Sequence, residues 1–325
     1  MSFSHECKLE TLKTPLDNDC CSLAFLCGIL HACGELQISN KHFVASLTTD
    51  IVEVFDFCNN ILQTLYGDSL SLEITNDYAI NKKTYYEITF PEDKSEEILL
   101  DCGILERGED GTPTITREIP QYILMSECCR KAFVKGAFVG CATSNIKISQ
   151  VATEKTSSGY HLEFTSHSIS FLNSLTTLLN EYELNPKISE RKNVYVLYLK
   201  EASQISDVLA LVDAYNGVMA LQNEIIAREM RNKINRETNC ISSNIAKTVE
   251  ASLRQLEAIK FIQQKIGLEK LSPDLEEVAL LRLANQEESL EDLLKLSTIK
   301  LTKSGLNHRF RKILTIAKKL KDEGN

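Results

Sequence analysis

The amino-acid sequence predicts an α+β fold in which two α/β units are duplicated with pseudo-twofold symmetry and are followed by an all-α helix-turn-helix domain. Three observations lead to this prediction: one helix is written twice, the same order of strands and helices follows each copy, and the chain ends in three short amphipathic helices. The 325 residues suffice for two or three domains, and 43% hydrophobic and 25% charged residues are ordinary globular values.

The duplicated helix reads DCCSLAFLCGILHACGEL from Asp19 and ECCRKAFVKGAFVGCATS from Glu127, an offset of 108 residues. Six positions are identical between the copies: Cys20/Cys128, Cys21/Cys129, Ala24/Ala132, Phe25/Phe133, Gly28/Gly136 and Cys33/Cys141. Small residues also recur one turn apart, at Gly28 and Ala32 and at Gly136 and Gly140. Because small side chains let two backbones approach closely, we predict that the two helices pack together about a pseudo-twofold axis.

Similar patterns follow each copy of the helix. The first is followed by strands in KHFVASLTTD, SLEITND and KTYYEITF and by helices in IVEVFDFCNNILQTLYG and KSEEILLDCGIL. The second is followed by strands around KISQVATEK, GYHLEFTS and YVLYL and by helices in SISFLNSLTTLLNEYEL and ISDVLALVDAYN. Each half is predicted to be a helix-strand-strand-helix-strand-strand-helix unit. The predicted domain spans residues 1–222, with repeats at about 19–110 and 127–222.

Two nine-residue segments, LCGILHACG at 26–34 and VKGAFVGCA at 134–142, resemble the signature helices of the LAGLIDADG homing endonucleases. In that fold the paired helices bring acidic residues to a metal-dependent DNA-cleaving centre. The resemblance places the first acidic position on His31 and Val139, and the second, metal-holding position on Cys33 and Cys141. A thiol is a poor Mg²⁺ ligand and valine is none, so we expect no catalytic residues and no enzyme activity. The alternative is a residual endonuclease that uses Glu35 and an unrecognised carboxylate.

The eleven cysteines do not indicate a disulfide framework or a zinc knuckle. They are spread from Cys7 to Cys240, no C-x-x-C occurs, and the chain starts without an apolar leader segment. Cys27 and His31 share a helix face near Cys33, but no second ligand pair is evident, so we expect no metal and no cofactor. No apolar run is long enough to span a membrane, which favours a cytoplasmic protein with reduced thiols.

Charge is distributed unevenly along the chain. Residues 1–224 carry 17 Lys/Arg against 31 Asp/Glu, whereas residues 225–325 carry 19 against 14. A helical linker with a basic segment is predicted for residues 223–267, starting a new helix at Ser242 or Ser243 and stopping at Gly267. Its predicted phosphate contacts are Arg228, Arg231, Lys233 and Arg236. A solvated connecting helix explains these charges equally well.

Three helices are predicted for the last domain, residues 268–325: SPDLEEVALLRLANQ, SLEDLLKLS and, after a turn at TIKL, TKSGLNHRFRKILTIAKKL. Ser289 and Asp292 have the spacing of a capping box. The third helix has an apolar stripe at Leu306, Phe310, Ile313, Ala317 and Leu320. We therefore predict a helix-turn-helix at residues 289–320 that binds DNA through Lys303, Ser304, Asn307, His308, Arg309, Arg311 and Lys312.

The whole chain resembles the WhiA family of bacterial sporulation and cell-division regulators. The resemblance rests on MSFSHECK, REMRNKINRETNC, TVEASLRQLEAI and above all TKSGLNHRFRKI, and it departs at the cysteine-rich first helix and at Ala142 and Thr143. It implies a transcription regulator of cell division and chromosome segregation that binds double-stranded promoter DNA, associates with the nucleoid in the cytoplasm and has no catalytic activity. The alternative is a protein-interaction module whose N-terminal domain docks another transcription or division factor.

Overall fold

The structure is a computed structural model, and it describes residues 2–39, 42–76, 84–109, 111–116, 118–148, 159–297 and 301–323. The chain divides into two compact units, Met1–Glu229 (unit 1) and Met230–Asn325 (unit 2). The domain boundaries after residues 222 and 267 stay predictions. No helix within the described ranges combines the length and the apolar character that a bilayer span requires.

The first repeat of unit 1 is an antiparallel four-stranded sheet with helices before, between and after its strand pairs. Its strand order is β1-β2-β4-β3. A helix α1, which the sequence patterns do not indicate, precedes it. The elements are α1 Phe3–Thr11, α2 Asp19–Cys33, β1 Gly34–Ser39, β2 His42–Thr49, α3 Glu53–Tyr66, β3 Ser71–Asn76, β4 Thr84–Thr89 and α4 Glu92–Asp101.

The second repeat has the same architecture after a short hairpin, β5 Leu105–Arg107 and β6 Pro113–Ile115. Its strand order β7-β8-β10-β9 matches that of the first sheet, which confirms the predicted duplication. The predicted strand around residues 147–155 falls mostly outside the described residues. The elements are α5 Glu127–Cys141, β7 Ala142–Ser144, β8 Leu162–Ser166, α6 Ile169–Glu181, β9 Lys187–Arg191, β10 Val194–Leu199 and α7 Ala202–Leu211.

Helices α2 and α5 cross at their glycines, as the repeated small residues predict. A Cβ added to Gly28 would lie 2.2 Å from the carbonyl oxygen of Phe133, and one added to Gly136 would lie 2.1 Å from that of Phe25. The two contacts are equivalent under the repeat offset, so the pseudo-twofold axis passes between the helices. Only glycine, which has no Cβ, allows the two helix backbones to approach each other this closely.

Several predicted helices are too long at their C-terminal ends. The first signature helix ends at Cys33, because Gly34 adopts an extended backbone (φ −68°, ψ 138°) and begins β1. The segment ISDVLALVDAYN is two helices, because Asp213 takes a positive φ of 60° after α7. Periodicity does not detect these breaks, since apolar residues continue through them.

Helix α8, Tyr215–Lys265, is continuous over 51 residues. The prediction of a new helix start at Ser242 or Ser243 is therefore wrong. Serine is only a weak helix breaker, and both serines lie exposed within the helix. The predicted stop is confirmed: Gly267 has a φ of 83° and its N–H donates to the carbonyl oxygen of Ile262.

The described part of unit 2 contains a short 3₁₀ helix, Leu268–Lys270, and three further α-helices, α9 Pro273–Ala284, α10 Leu290–Leu296 and α11 Lys303–Asp322. Ser289 and Thr302 cap α10 and α11 by accepting hydrogen bonds from the N–H groups of Asp292 and Gly305. Four residues of the predicted stripe on α11 are buried and Leu320 packs against the same core, which also includes Ile259 and Ile262 from the end of α8. The turn predicted at residues 298–301 lies mostly outside the described residues.

Candidate DNA-binding face and the vestigial catalytic end

Helix α11 exposes a polar and basic face on the side opposite its buried stripe. We call Ser304, His308, Arg311, Lys312 and Thr315 the recognition face; all five are exposed. Asn307 is half-buried beside them. Burial of the stripe fixes the rotation of α11, so four of the predicted DNA contacts, Ser304, His308, Arg311 and Lys312, lie together with Thr315 on one surface.

A shallow groove runs along the recognition face towards α9. Its lining is mixed, with aliphatic, imidazole, hydroxyl and cationic groups from Leu275, His308, Arg311, Lys312, Thr315, Ile316 and Lys319. This combination can bind base edges through hydrogen bonds and thymine methyl groups through apolar contact.

Two of the predicted DNA-binding residues are engaged within unit 2. The side chain of Arg309 is only 18% exposed and forms an ion pair with Asp274 at 3.0 Å, which ties α11 to α9. Lys303 pairs with Glu291 of α10, but both side chains are exposed. An exposed pair opens at little cost, so Lys303 remains able to reach a phosphate, whereas the largely buried Arg309 side chain is held against α9.

Arg282, which no sequence pattern singles out, organises the core of unit 2. It is 2% exposed, its Nε donates to Gln255 Oε1 at 3.1 Å, and its guanidinium lies 5.3 Å from the ring centroid of Phe310. A second nitrogen donates to the carbonyl oxygens of Asn285 and Glu288. Burial lowers the pKa of the guanidinium, and these acceptors compensate for its lost hydration.

The predicted phosphate contacts of the basic segment differ in their surroundings. Arg228 lies 4.4 Å from the ring centroid of Tyr160 and pairs with the buried Glu224. Arg231 is half-buried, whereas Lys233 and Arg236 are exposed. Arg228 thus packs within unit 1, and the exposed members of the segment are better placed to meet a polyanion.

The C-terminal ends of α2 and α5 carry the four positions that the resemblance assigns to lost acidic residues, His31, Cys33, Val139 and Cys141. We call this region the vestigial catalytic end. Cys33 and Cys141 close their helices alike, each thiol donating to the carbonyl oxygen four residues earlier. Burial raises the pKa of Cys33 to about 11 and that of Cys141 to about 12. Both thiols are neutral at pH 7 and offer no anionic ligand. Val139 is buried, and His31 Nε2 lies 2.9 Å from the carbonyl oxygen of Cys102.

Lys8 supplies a cation at this end of the helices. Helix α1 packs against α5 and β7, which brings Lys8 near Cys141 and Cys33. Burial lowers the pKa of Lys8, while the charge of Asp50 acts in the opposite direction. The C-terminal ends of helices favour a positive charge, which offsets part of the cost of burying the ammonium. Sequence analysis did not place Lys8 beside Cys33 and Cys141, because Lys8 lies outside both repeats.

Glu35 and the equivalent position in the second repeat do not form a matched pair of carboxylates. Glu35 is exposed on β1. At the equivalent position of the second repeat, Thr143 lies opposite Glu163 on the neighbouring strand. The carboxylate of Glu163 is held by His161 at 2.9 Å and by Arg191 at 3.3 Å.

The class of this protein is defined by two features. It has a duplicated LAGLIDADG-like unit whose signature helices end in cysteine rather than in an acidic residue, and this unit is joined to a helix-turn-helix unit. The chain matches the WhiA N-terminal LAGLIDADG-like domain at residues 19–105, the WhiA LAGLIDADG-like domain at 130–231 and the WhiA C-terminal HTH domain at 234–317. It belongs to the WhiA family.

Relatives and a solved structure agree over nearly the full length. The chain is 37% identical over 322 residues to "Probable cell division protein WhiA" of Clostridium botulinum, covering 99% of each chain. It is 36% identical over 327 residues to the protein of that name from Clostridium acetobutylicum, covering 100% of each. The crystal structure of full-length DUF199/WhiA from Thermatoga maritima is similar in fold, with 24% identity, a TM-score of 0.56, and coverage of 98% of this chain and 99% of that one.

Proposed function

We propose that this protein is a sequence-specific transcriptional regulator that binds double-stranded promoter DNA and has no nuclease activity. The name of its relatives points to genes of cell division, and we extend this to chromosome segregation. On this proposal the protein acts on the bacterial chromosome in the cytoplasm. The observation that carries the proposal is the recognition face of α11, which is polar and basic while the opposite side of the helix is buried.

The N-terminal half of α11 would contact the edges of the bases. Arg311 can donate to guanine O6 and N7 with two nitrogens, and Ser304 and Asn307 can bond other base edges. Lys233 and Arg236 would hold the phosphate backbone. Residues 1–224 carry an excess of acidic side chains, which repel the phosphates of DNA. The C-terminal part of the chain is therefore the part that would contact DNA.

The test begins with selection of genomic fragments by the full-length protein, followed by binding to a selected duplex and to a scrambled one. Arg311→Ala is expected to weaken the binding free energy for the selected duplex by roughly 1–3 kcal/mol. The difference in affinity between the selected and the scrambled duplex should therefore become smaller. Lys260→Ala, which removes one exposed charge from α8 outside the recognition face, is the matched control and should bind nearly as wild type. Wild-type affinity of Arg311→Ala for both duplexes would refute the assignment.

Absence of nuclease activity is tested separately with supercoiled plasmid and Mg²⁺. Because Cys33 and Cys141 are neutral and Lys8 lies beside them, no bound Mg²⁺ and therefore no nicking is expected. The control is the Glu35→Gln variant under the same conditions. Cleavage by the wild type that this variant loses would establish a residual endonuclease instead.

A further inference from the structure

Four cysteines meet at the N-terminal ends of the signature helices. The Sγ atoms of Cys20, Cys21, Cys128 and Cys129 all lie within 4.8 Å of one another. They form two adjacent pairs related by the pseudo-twofold axis, one pair at the start of α2 and one at the start of α5. We call these four residues the cysteine cluster.

We propose that the cysteine cluster is a structural zinc site. Four thiolates around Zn²⁺ form a tetrahedron with Zn–S bonds of about 2.3 Å, which places the sulfurs about 3.8 Å apart. The spacing in the cluster fits one ion after a small contraction. A four-iron cluster would hold its cysteine sulfurs farther apart, because the inorganic core lies between them.

The helix starts favour the negative charge that such a site creates. Zinc binding replaces four thiol protons, which leave to solvent, and the resulting complex carries two negative charges. Each helix N-terminus contributes roughly half a positive charge, which offsets part of the negative charge of the complex and of Asp19 and Glu127 in the same first turns. Neither Asn18 nor Ser126, the residues before these helices, caps its helix with a side-chain hydrogen bond in the described structure.

Solvent can reach the site. Cys20 is exposed and Cys128 is half-buried, whereas Cys21 and Cys129 are buried. A pocket lined in part by Cys21 and Cys128 opens beside the cluster. The exposed Cys20 and the pocket provide an entry path for an ion.

The cysteine cluster is separate from the vestigial catalytic end. Cys20 and Cys33 are 13 residues apart in one helix, which corresponds to about 20 Å along its axis. The ion would clamp one end of the helix pair, whose centre is held by the contacts of Gly28 and Gly136. Sequence spacing does not reveal the site, because its ligands are two C-C pairs far apart in the chain rather than C-x-x-C motifs.

The full-length protein tests this directly. Protein purified without chelator from zinc-supplemented cells is expected to contain about one zinc ion per chain. Alkylation followed by peptide mapping then compares two exposed thiols, Cys20 and Cys240. Zinc should slow alkylation of Cys20 by about tenfold or more until a chelator removes the ion, because a metal-bound thiolate is a poor nucleophile. Cys240 should react equally fast throughout.

Variants identify the ligands. Cys20→Ser and Cys128→Ser should lose zinc, and Cys240→Ser should retain it. Cobalt added to the metal-free wild type should give the visible absorption of a tetrahedral thiolate site, a result that does not depend on a variant folding. The proposal is overturned by zinc-free protein in which Cys20 reacts as fast as Cys240, by disulfides among the four cysteines in anaerobically purified protein, or by iron with acid-labile sulfide.

Discussion

Helices α2 and α5 on one side, and α11 on the other, use their surfaces in opposite ways. The two signature helices each bury nine of their fifteen residues, whereas α11 buries four of twenty. The signature helices thus have no broad face for a ligand, because most of their surface packs against each other and against neighbouring elements such as Phe57 of α3 and Phe171 of α6. Helix α11 needs only one stripe for folding, and its remaining surface is available for recognition.

This difference distinguishes two helices that are used for packing from one helix whose exposed surface is available to a ligand. In the LAGLIDADG-like unit the close helix crossing is present, while the positions that the resemblance assigns to acidic residues hold Cys33, Cys141, Val139 and His31. The crossing therefore does not depend on carboxylates at these positions. Four experiments test how far the contrast extends.

The largest effect is expected from Gly136→Ala. The added Cβ would meet the carbonyl oxygen of Phe25 at 2.1 Å, so the backbones must separate, and unfolding free energy should fall by about 3 kcal/mol or more. The matched control is Gly305→Ala in α11, where the nearest atom lies 3.4 Å away and helix propensity should stabilise by up to about 1 kcal/mol. Urea unfolding followed by circular dichroism measures both. Equal changes in unfolding free energy for Gly136→Ala and Gly305→Ala would contradict the difference in packing between α5 and α11.

Arg282→Ala tests whether the recognition face depends on a buried polar centre. Removal of the guanidinium leaves Gln255 Oε1 and two carbonyl oxygens without their donor, and we expect a loss of roughly 3 kcal/mol in stability. Arg254→Ala, which breaks an exposed pair with Glu250, should cost less than about 1 kcal/mol. Thermal unfolding of the two variants side by side gives the comparison, and similar melting temperatures would contradict the role of Arg282.

The salt dependence of DNA binding tests which basic residues meet phosphates, on the proposed function. The double variant Lys233→Ala, Arg236→Ala should reduce the slope of log affinity against log salt by about 2. Arg228→Ala should leave the slope unchanged, because its guanidinium is used by Tyr160 and Glu224. Titrations of a selected duplex between low and moderate salt measure the slopes. A reduced slope for Arg228→Ala would place that residue on the DNA.

The smallest effect is expected from Lys8→Met at the vestigial catalytic end. Burial lowers the pKa of Lys8 in the folded protein, so folding disfavours the ammonium at neutral pH. This cost disappears as pH rises through the lowered pKa towards the ordinary value of 10.5. Lys8→Met should therefore be more stable than wild type at pH 7, and the gain should shrink at pH 10. Lys13→Met, at an exposed position, should show no such trend.

Much of the frame was predictable because its causes are local. The repeated small residues predicted the helix crossing, and the stripe on α11 predicted which side of that helix is buried. Helix ends were less predictable. The break at Asp213 and the uninterrupted course of α8 past Ser242 depend on backbone conformations that side-chain periodicity does not encode.

The sites were predictable only where their residues lie on one helix. The recognition face comes from five positions of α11, and their spacing is visible in the sequence. Lys8 beside Cys33 and Cys141, Arg282 beside Gln255, and the cysteine cluster each join residues that are distant in the chain. The charged residues follow no local pattern. The two pairs of adjacent cysteines repeat at the offset of 108 residues, but they come together only through the packing of α2 against α5.

Residue identity and short-range periodicity were enough to predict the duplicated unit, the helix-turn-helix and the lack of carboxylates at the signature positions. The folded chain adds which charges are paired inside the units, which remain on the surface, and that four thiols converge within 4.8 Å. The physical reason is that burial, ion pairing and metal coordination depend on distances through space, and folding sets those distances between residues that the sequence keeps far apart.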